Sequence, residues 1–120
     1  MILSKTARVM DPESGVDQVT DILLDGKRIR QIGKVDDVSG IEQVIDASGM
    51  IAAPGLIDVH VHFRDPGFTY KEDLQTGSAA AAAGGFTTVV CMANTKPVVD
   101  TVDIYKEIED RCEQLPIKVW

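Results

Sequence analysis

Short apolar runs separated by turn residues fill the first fifty positions of the chain. Two of them, residues 22–24 and 29–32, flank Asp25-Gly26-Lys27. Asp-Gly between apolar runs predicts a hairpin, because glycine accepts the positive φ that such turns demand. A further strand is predicted at Gln43–Asp46, and no helical period occurs before residue 54. The pattern predicts a small all-β layer that ends at residue 53.

From residue 54 onward the pattern becomes one of alternating strands and helices. Residues 56–63 are rich in apolar side chains and predict a strand. Thr69-Tyr70-Lys71-Glu72 has the spacing of a capping box, in which the Thr hydroxyl and the Glu carboxylate accept from free amides at a helix start. A helix of small residues is therefore predicted from about residue 70 to residue 83, and Gly84-Gly85 ends it.

Two further strands and a second helix follow. Residues 87–92 begin with four β-branched side chains and predict a strand, and residues 117–120 predict the opening of another. Between them, apolar side chains spaced by three, three and four positions share one face of a helix that Pro116 ends: Val102, Tyr105, Ile108 and Cys112. The order β-α-β-α-β predicts an α/β fold with parallel strands joined by crossover helices.

Chain length limits what this α/β region can form. A closed (β/α)8 barrel needs about 250 residues, whereas residues 54–120 hold two and a half β-α units. The region is either a small open sheet or the first part of a TIM-type barrel, and an ending inside a strand at Trp120 favours the barrel. We therefore expect a truncated barrel over residues 54–120, preceded by a β-rich subdomain over residues 1–53.

Candidate chemistry is concentrated in the segment PGLIDVHVHFRDPG at residues 54–67. Side chains alternate between the two faces of a strand, so one face is expected to carry all the polar groups: Asp58, His60, His62 and Arg64. Desolvating such groups is costly unless a bound cation compensates. Two imidazoles two positions apart can converge on one zinc ion at about 2.0–2.1 Å. His60 and His62 are therefore predicted metal ligands.

The same histidines could instead be ordinary hydrogen-bonding side chains on a strand. They are the only two in the chain, and their place between Asp58 and Arg64 favours the metal site. Catalytic zinc usually has three protein ligands, so the pair alone does not complete a site. Asp58 could be a further ligand, or could orient a ligand through a hydrogen bond. The remaining ligands are expected outside these residues.

Two more polar residues are expected at the carboxyl ends of the strands, where barrel enzymes bind substrates. Arg64 beside a cation makes sense if the substrate brings a carboxylate for a forked contact; a salt bridge to Asp65 or Asp58 is the alternative. Asn94 could donate to and accept from a ureido or imide group, or could serve only in a turn. Cys91 has no spare histidine to activate it and is expected in the core.

Composition excludes several classes of function. With 12 Lys and Arg against 19 Asp and Glu, the net charge is −7. The cationic stripe that non-specific binding to nucleic acid or to an anionic membrane requires is therefore missing. The two cysteines form neither a disulfide framework nor a zinc ribbon. No segment has about 20 consecutive strongly apolar residues, and the N-terminus lacks the layout of a signal peptide. A cytoplasmic location is expected.

The stretch from Pro54 to Asp100, above all PGLIDVHVHFRDPG and GFTTVVCMANTKP, closely resembles the amidohydrolase superfamily. Within it, the chain is similar to the class I bacterial dihydroorotases that are related to the long multifunctional pyrimidine enzymes. The all-β start that ends in DASGMIAAPG also fits, since these enzymes carry a β-sandwich subdomain built from both chain ends. The resemblance covers essentially the whole sequence, but only the N-terminal portion of a family member.

The resemblance implies a zinc-dependent cyclic amide hydrolase that interconverts N-carbamoyl-L-aspartate and L-dihydroorotate in pyrimidine synthesis. It implies that His60 and His62 bind one zinc of a pair, that His62, Arg64 and Asn94 contact substrate, and that the catalytic aspartate lies beyond Trp120. The implied partners are the small-molecule substrate and, in the assembled protein, a second copy or aspartate transcarbamoylase. We expect the piece that ends at Trp120 to be inactive alone.

Two alternatives remain open. Hydantoinases, dihydropyrimidinases and allantoinases share the H-x-H motif and the barrel, but hydantoin and dihydrouracil offer no carboxylate to Arg64. A non-catalytic, dihydroorotase-like scaffold subunit is the other alternative, although such proteins have usually lost the histidines that this chain keeps. Comparing the turnover of dihydroorotate with that of dihydrouracil distinguishes a dihydroorotase from the hydantoinase-type enzymes. Measuring the zinc content distinguishes the enzyme from the scaffold subunit.

Overall fold

The computed structural model describes residues 1–120. The chain forms two compact units, Met1–Pro54 and Gly55–Trp120. The first unit contains strands only, and the second contains three strands and two helices. No helix in the structure is long and apolar enough to cross a membrane.

Five strands form one mixed sheet in the first unit. They are β1 (Ile2–Asp11), β2 (Val16–Asp25), β3 (Arg28–Ile32), β4 (Gln43–Asp46) and β5 (Ile51–Ala52). The order is β3-β2-β1-β4, and β5 also pairs with β1. The β1-β2 and β2-β3 pairs are antiparallel, whereas β4 and β5 run parallel to β1. The predicted strand at Gln43–Asp46 is confirmed.

The predicted hairpin at Asp25-Gly26-Lys27 joins β2 to β3. Asp25 pairs with Arg28, so the two residues between them form the turn. Gly26 has a φ of +55°, a conformation that glycine adopts without the steric cost of a Cβ. The sheet buries two small apolar clusters, one of Leu3, Leu23 and Val35 and one of Ala7, Val9 and Ala47.

In the second unit, parallel strands alternate with helices. The elements are β6 (Leu56–Val61), α1 (Leu74–Ala83), β7 (Phe86–Cys91), α2 (Val102–Cys112) and β8 (Lys118–Val119). The sheet order is β6-β7-β8, and both pairs are parallel. The predicted order of elements is thus confirmed, but β6 ends at Val61 and not at residue 63.

Helix α1 begins later than predicted, because Thr69 and Glu72 do not form a capping box. The N-cap is Asp73, whose carboxylate accepts from the backbone N–H of Thr76 at 2.8 Å. That hydrogen bond holds the pKa of the Asp73 carboxyl below its usual range. Thr69 lies in a turn before the helix. The predicted stop is confirmed: Gly84 is the C-cap, and Gly85 has a φ of +84°.

The core of the second unit lies between the sheet and the helices. Its buried residues are Phe63, Leu74, Val89 and Ile117. Ile108 and Cys112 of α2 pack against this cluster, as their spacing predicts. Val102 does not: it is 67% exposed, so the predicted apolar face of α2 packs against the core only toward the end of the helix.

Candidate metal and substrate site

The H-x-H motif lies at the carboxyl end of β6. His60 is in the strand, and His62 is the first residue after its end. The centroids of the two imidazole rings are 5.4 Å apart, and the ring planes are inclined by 57°. Both residues are exposed. The two rings therefore lie side by side and are accessible from solvent.

The separation of the rings suits a shared ion. An imidazole nitrogen binds zinc at about 2.0–2.1 Å, which puts each ring centroid about 3 Å from the ion and, at a tetrahedral angle, the two centroids about 5 Å apart. The observed 5.4 Å agrees with this spacing. The chain holds no group of three or more His, Cys, Asp and Glu side chains that could hold a metal ion. The spacing of the two rings thus fits a shared metal ion.

Asn94 contacts the ring of His62. Asn94 lies in the loop after β7, and its Oδ1 lies 3.0 Å from Nδ1 of His62. When Nδ1–H donates to that oxygen, the lone pair of the neutral imidazole stays on Nε2, where a metal can bind. Sequence reasoning placed both residues at the rim of the sheet but did not predict this contact. The amide oxygen is engaged by His62, while the amide NH2 of Asn94 remains a donor.

Asp58 contacts the backbone and not the ring of a neighbour. Its Oδ1 accepts from the backbone N–H of His60 at 3.0 Å. The ladder places Asp58 opposite Val89 and Val61 opposite Cys91, which leaves one extra residue on β6. Such a bulge re-aims side chains locally. In this structure the Asp58 carboxylate therefore fixes the backbone of His60.

Arg64 does not reach its place by strand alternation, because the strand has already ended. Its φ is +64°, a left-handed conformation that is uncommon for a residue with a Cβ. The guanidinium is in none of the ion pairs of the structure. The alternative prediction of a salt bridge from Arg64 to Asp65 or Asp58 is therefore wrong. The Arg64 side chain has a free charge in a half-buried position.

The partner of Asp65 is Arg111, which sequence reasoning missed. Arg111 lies on α2, and its Nη1 and Nη2 donate to the two carboxylate oxygens at 2.9 and 2.5 Å. The Asp65 side chain is 3% exposed. Hydrogen bonding to Asp65 raises the pKa of Arg111. The two residues are 46 positions apart, and no local spacing rule connects them.

An apolar cavity of about 180 Å³ lies between α2 and the end of β7. Cys91, Tyr105, Cys112 and Trp120 are among its lining residues, and His60, His62, Arg64 and Asn94 are not. Burial raises the pKa of the Cys91 thiol to about 11. At neutral pH Cys91 is protonated and weakly nucleophilic, which agrees with its predicted place in the core.

The chain is similar in sequence to a known protein family and to individual members of it. A family described as dihydro-orotase-like matches residues 49–116. A dihydroorotase of Clostridioides difficile (strain 630) is 52% identical over 119 residues, which are 99% of this chain and 28% of that protein. This chain thus spans just over a quarter of the length of that relative.

Two solved structures share the fold. L-hydantoinase (dihydropyrimidinase) from Arthrobacter aurescens superposes with a TM-score of 0.86 at 27% identity, over 98% of this chain and 26% of that one. Atrazine chlorohydrolase from Arthrobacter aurescens TC1, crystallised with zinc, has a TM-score of 0.60 at 24% identity, over 77% of this chain and 28% of that one. The second likeness shows the fold alone.

The parallel β-α-β-α-β unit thus defines an α/β protein whose fold matches the corresponding part of L-hydantoinase. Within that class, this chain belongs to the dihydroorotase-like family.

Proposed function

We propose that this chain is part of a zinc-dependent dihydroorotase, which interconverts N-carbamoyl-L-aspartate and L-dihydroorotate in de novo pyrimidine (UMP) synthesis. The observation that carries the proposal is the histidine pair with rings 5.4 Å apart, together with membership of the family. The identity of 52% to a dihydroorotase of Clostridioides difficile supports this reaction over others of the class. A second copy of the protein, or aspartate transcarbamoylase, is the proposed macromolecular partner on the ground of the family alone.

The architecture we propose is the start of a TIM-type barrel over residues 54–120, after part of a β-sandwich subdomain over residues 1–53. Strand β6 lies at one edge of its three-stranded sheet. Leu56, Ile57 and Val59 on this strand are 54, 65 and 67% exposed. An apolar strand with an unpaired edge favours association with another strand, and closure into a barrel removes such edges. Further strands of the full-length protein would cover β6 in this way.

His60 and His62 would hold one zinc of a pair, His62 through Nε2, the ring nitrogen that its contact with Asn94 leaves free. Zinc supplies a Lewis acid that polarises the amide carbonyl and lowers the pKa of a bound water to about 7. The protein's part in this region is to fix the ligands. Asn94 would set the tautomer of His62 through the contact between its Oδ1 and Nδ1, and Asp58 fixes the backbone of His60.

Substrate recognition would fall to Arg64 and Asn94. L-dihydroorotate and N-carbamoyl-L-aspartate both carry a carboxylate, which a free guanidinium binds in a forked geometry. Arg64 has no ion-pair partner within the chain. The NH2 of Asn94 can donate to the same carboxylate while its oxygen accepts from His62.

The experiment that tests this function is turnover by the full-length protein. We expect hydrolysis of L-dihydroorotate and no significant hydrolysis of dihydrouracil, because dihydrouracil leaves Arg64 without a partner. Turnover of dihydrouracil alone would establish a hydantoinase-type enzyme, the alternative that the structural likeness to L-hydantoinase favours. A stably folded protein that contains no metal and turns over neither substrate would establish the scaffold subunit.

Asn94→Ala in the full-length protein should weaken zinc binding by about 10–100-fold, the usual effect of losing a hydrogen bond that orients a metal-bound histidine. Zinc affinity would be measured by competition with a chelator. Asn94→Asp is the matched control, because it keeps an acceptor oxygen for Nδ1 of His62 but removes the NH2 donors. We expect Asn94→Asp to retain zinc and to raise KM. Equal loss of zinc in both variants would contradict the role of the His62–Asn94 contact.

A further inference from the structure

The buried carboxylate of Asp65 is held from two directions. Both terminal nitrogens of Arg111 donate to it at 2.9 and 2.5 Å. The backbone N–H of Leu74, the first residue of α1, lies 3.4 Å from its Oδ2. Asp65 therefore ties the loop after β6 to the start of α1 and to the last turn of α2. A buried carboxylate requires such compensation, because desolvation of an unpaired charge is costly.

The residue directly before Asp65 is Arg64, and its backbone needs to be held in place. A φ of +64° carries a steric cost for an arginine, and such conformations persist only where the surroundings over-determine them. The carbonyl of Arg64 accepts from the N–H of Phe68 at 2.9 Å, which closes the turn. The N–H of Lys96 donates to the carbonyl of Pro66 at 3.1 Å. The Asp65–Arg111 pair is the contact of this turn that involves two full charges.

The pair also governs what the Arg64 guanidinium can bind. An unpaired carboxylate at Asp65, one residue away, would be a competing ligand for Arg64 within the protein. Arg111 occupies both oxygens of that carboxylate in a forked contact, the strongest geometry available to an arginine. Arg64 is in none of the ion pairs of the structure.

We propose that Arg111 is a positioning residue: by binding both oxygens of Asp65 it fixes the turn that carries Arg64 and keeps the Arg64 guanidinium free for the carboxylate of the substrate. The inference rests on the proposed function for the identity of the substrate. Its structural part, that Arg111 orders the turn of residues 64–68, stands on the contacts alone.

The kinetic test uses the full-length protein with L-dihydroorotate. Arg111→Ala should raise KM roughly tenfold and change kcat by no more than about twofold, since it misplaces a group that binds substrate. Arg111→Lys, which keeps the charge but cannot bind both oxygens of Asp65 in a fork, should recover only part of the loss. Arg64→Ala should raise KM at least as much, and adding Arg111→Ala to it should have little further effect, because both changes remove the same contact.

Lys106→Ala is the matched control, because Lys106 is an exposed cation of the same helix and is in none of the ion pairs of the structure. It should leave KM unchanged. The proposal would be overturned if Arg111→Ala left KM unchanged and lowered kcat only in proportion to the loss of folded protein. Arg111 would then have a role in stability only. Independent effects of the Arg64 and Arg111 substitutions would overturn it as well.

A second measurement separates this inference from the proposed function. Hydrogen exchange of the Phe68 and Leu74 amides should be faster in Arg111→Ala than in the parent or in Lys106→Ala, because both amides donate within the segment that Asp65 anchors. Unchanged exchange would overturn the inference whatever the substrate. Failure of the parent protein to hydrolyse L-dihydroorotate would overturn the proposed function, and the exchange result would still decide whether Arg111 orders the turn.

Discussion

Replacement of His60 or His62 by alanine should lower hydrolysis of L-dihydroorotate by the full-length protein by about a thousandfold or more, because several kcal/mol of transition-state stabilisation depend on the metal. Each variant should also contain less zinc per chain than the parent protein. The two rings are side by side, so loss of either removes a ligand from the same ion. The double variant should be little worse than either single one, because the two ligands act as a unit. The measurements are kcat and zinc content by elemental analysis.

Cys91→Ser is the control for this experiment. Cys91, at the end of β7, is a residue type that also binds zinc. Burial raises the pKa of its thiol to about 11. The residue lines an apolar cavity that the histidines do not line. Its substitution should leave the zinc content unchanged. Both histidines are exposed, so their replacement should leave the fold intact. A His60→Ala protein with full zinc content and activity would rule out the proposed site.

Local signals in the sequence were sufficient for the order of the elements but not for all their ends. The hairpin at Gly26 and the stop at Gly84-Gly85 follow from backbone conformations that glycine accepts. The start of α1 does not follow, because Thr69 and Asp73 are both acceptable N-cap residues. The contact of Leu74 with the buried Asp65 favours Asp73 as the cap, and that contact is invisible to any local pattern.

The candidate site was predictable where it depends on spacing along a single strand. His60 at the end of β6 and His62 just after it are separated by one residue, and their rings lie side by side. Arg64 shows the limit of this reasoning. The ladder has an extra residue after Asp58, and the backbone turns left-handed at Arg64. The alternation of side chains between the two faces of the strand therefore stops before Arg64. The pairing of Asp65 with Arg111 depends on how α2 packs against the sheet, which local spacing does not predict.

Gly67→Ala should be the most destabilising single-methyl change in the second unit. Gly67 has a φ of +89°, and a Cβ there would lie 2.0 Å from the carbonyl oxygen of Lys96. The backbone strain and the clash with main-chain atoms should together lower the free energy of unfolding by about 3 kcal/mol or more. The measurement is urea unfolding of the full-length protein.

Gly15→Ala separates the two causes, because Gly15 also has a positive φ, of +72°, but no heavy atom lies within 4 Å of its virtual Cβ. It should cost only the backbone term, about 1–2 kcal/mol. The excess in Gly67→Ala then measures how tightly the turn after β6 is pressed against the loop after β7. That contact includes the Lys96–Pro66 hydrogen bond and links the segments that carry Arg64 and Asn94. Equal losses of stability in Gly67→Ala and Gly15→Ala would show that the two loops separate at little cost. The close approach at Gly67 could then not fix the positions of Arg64 and Asn94 relative to each other.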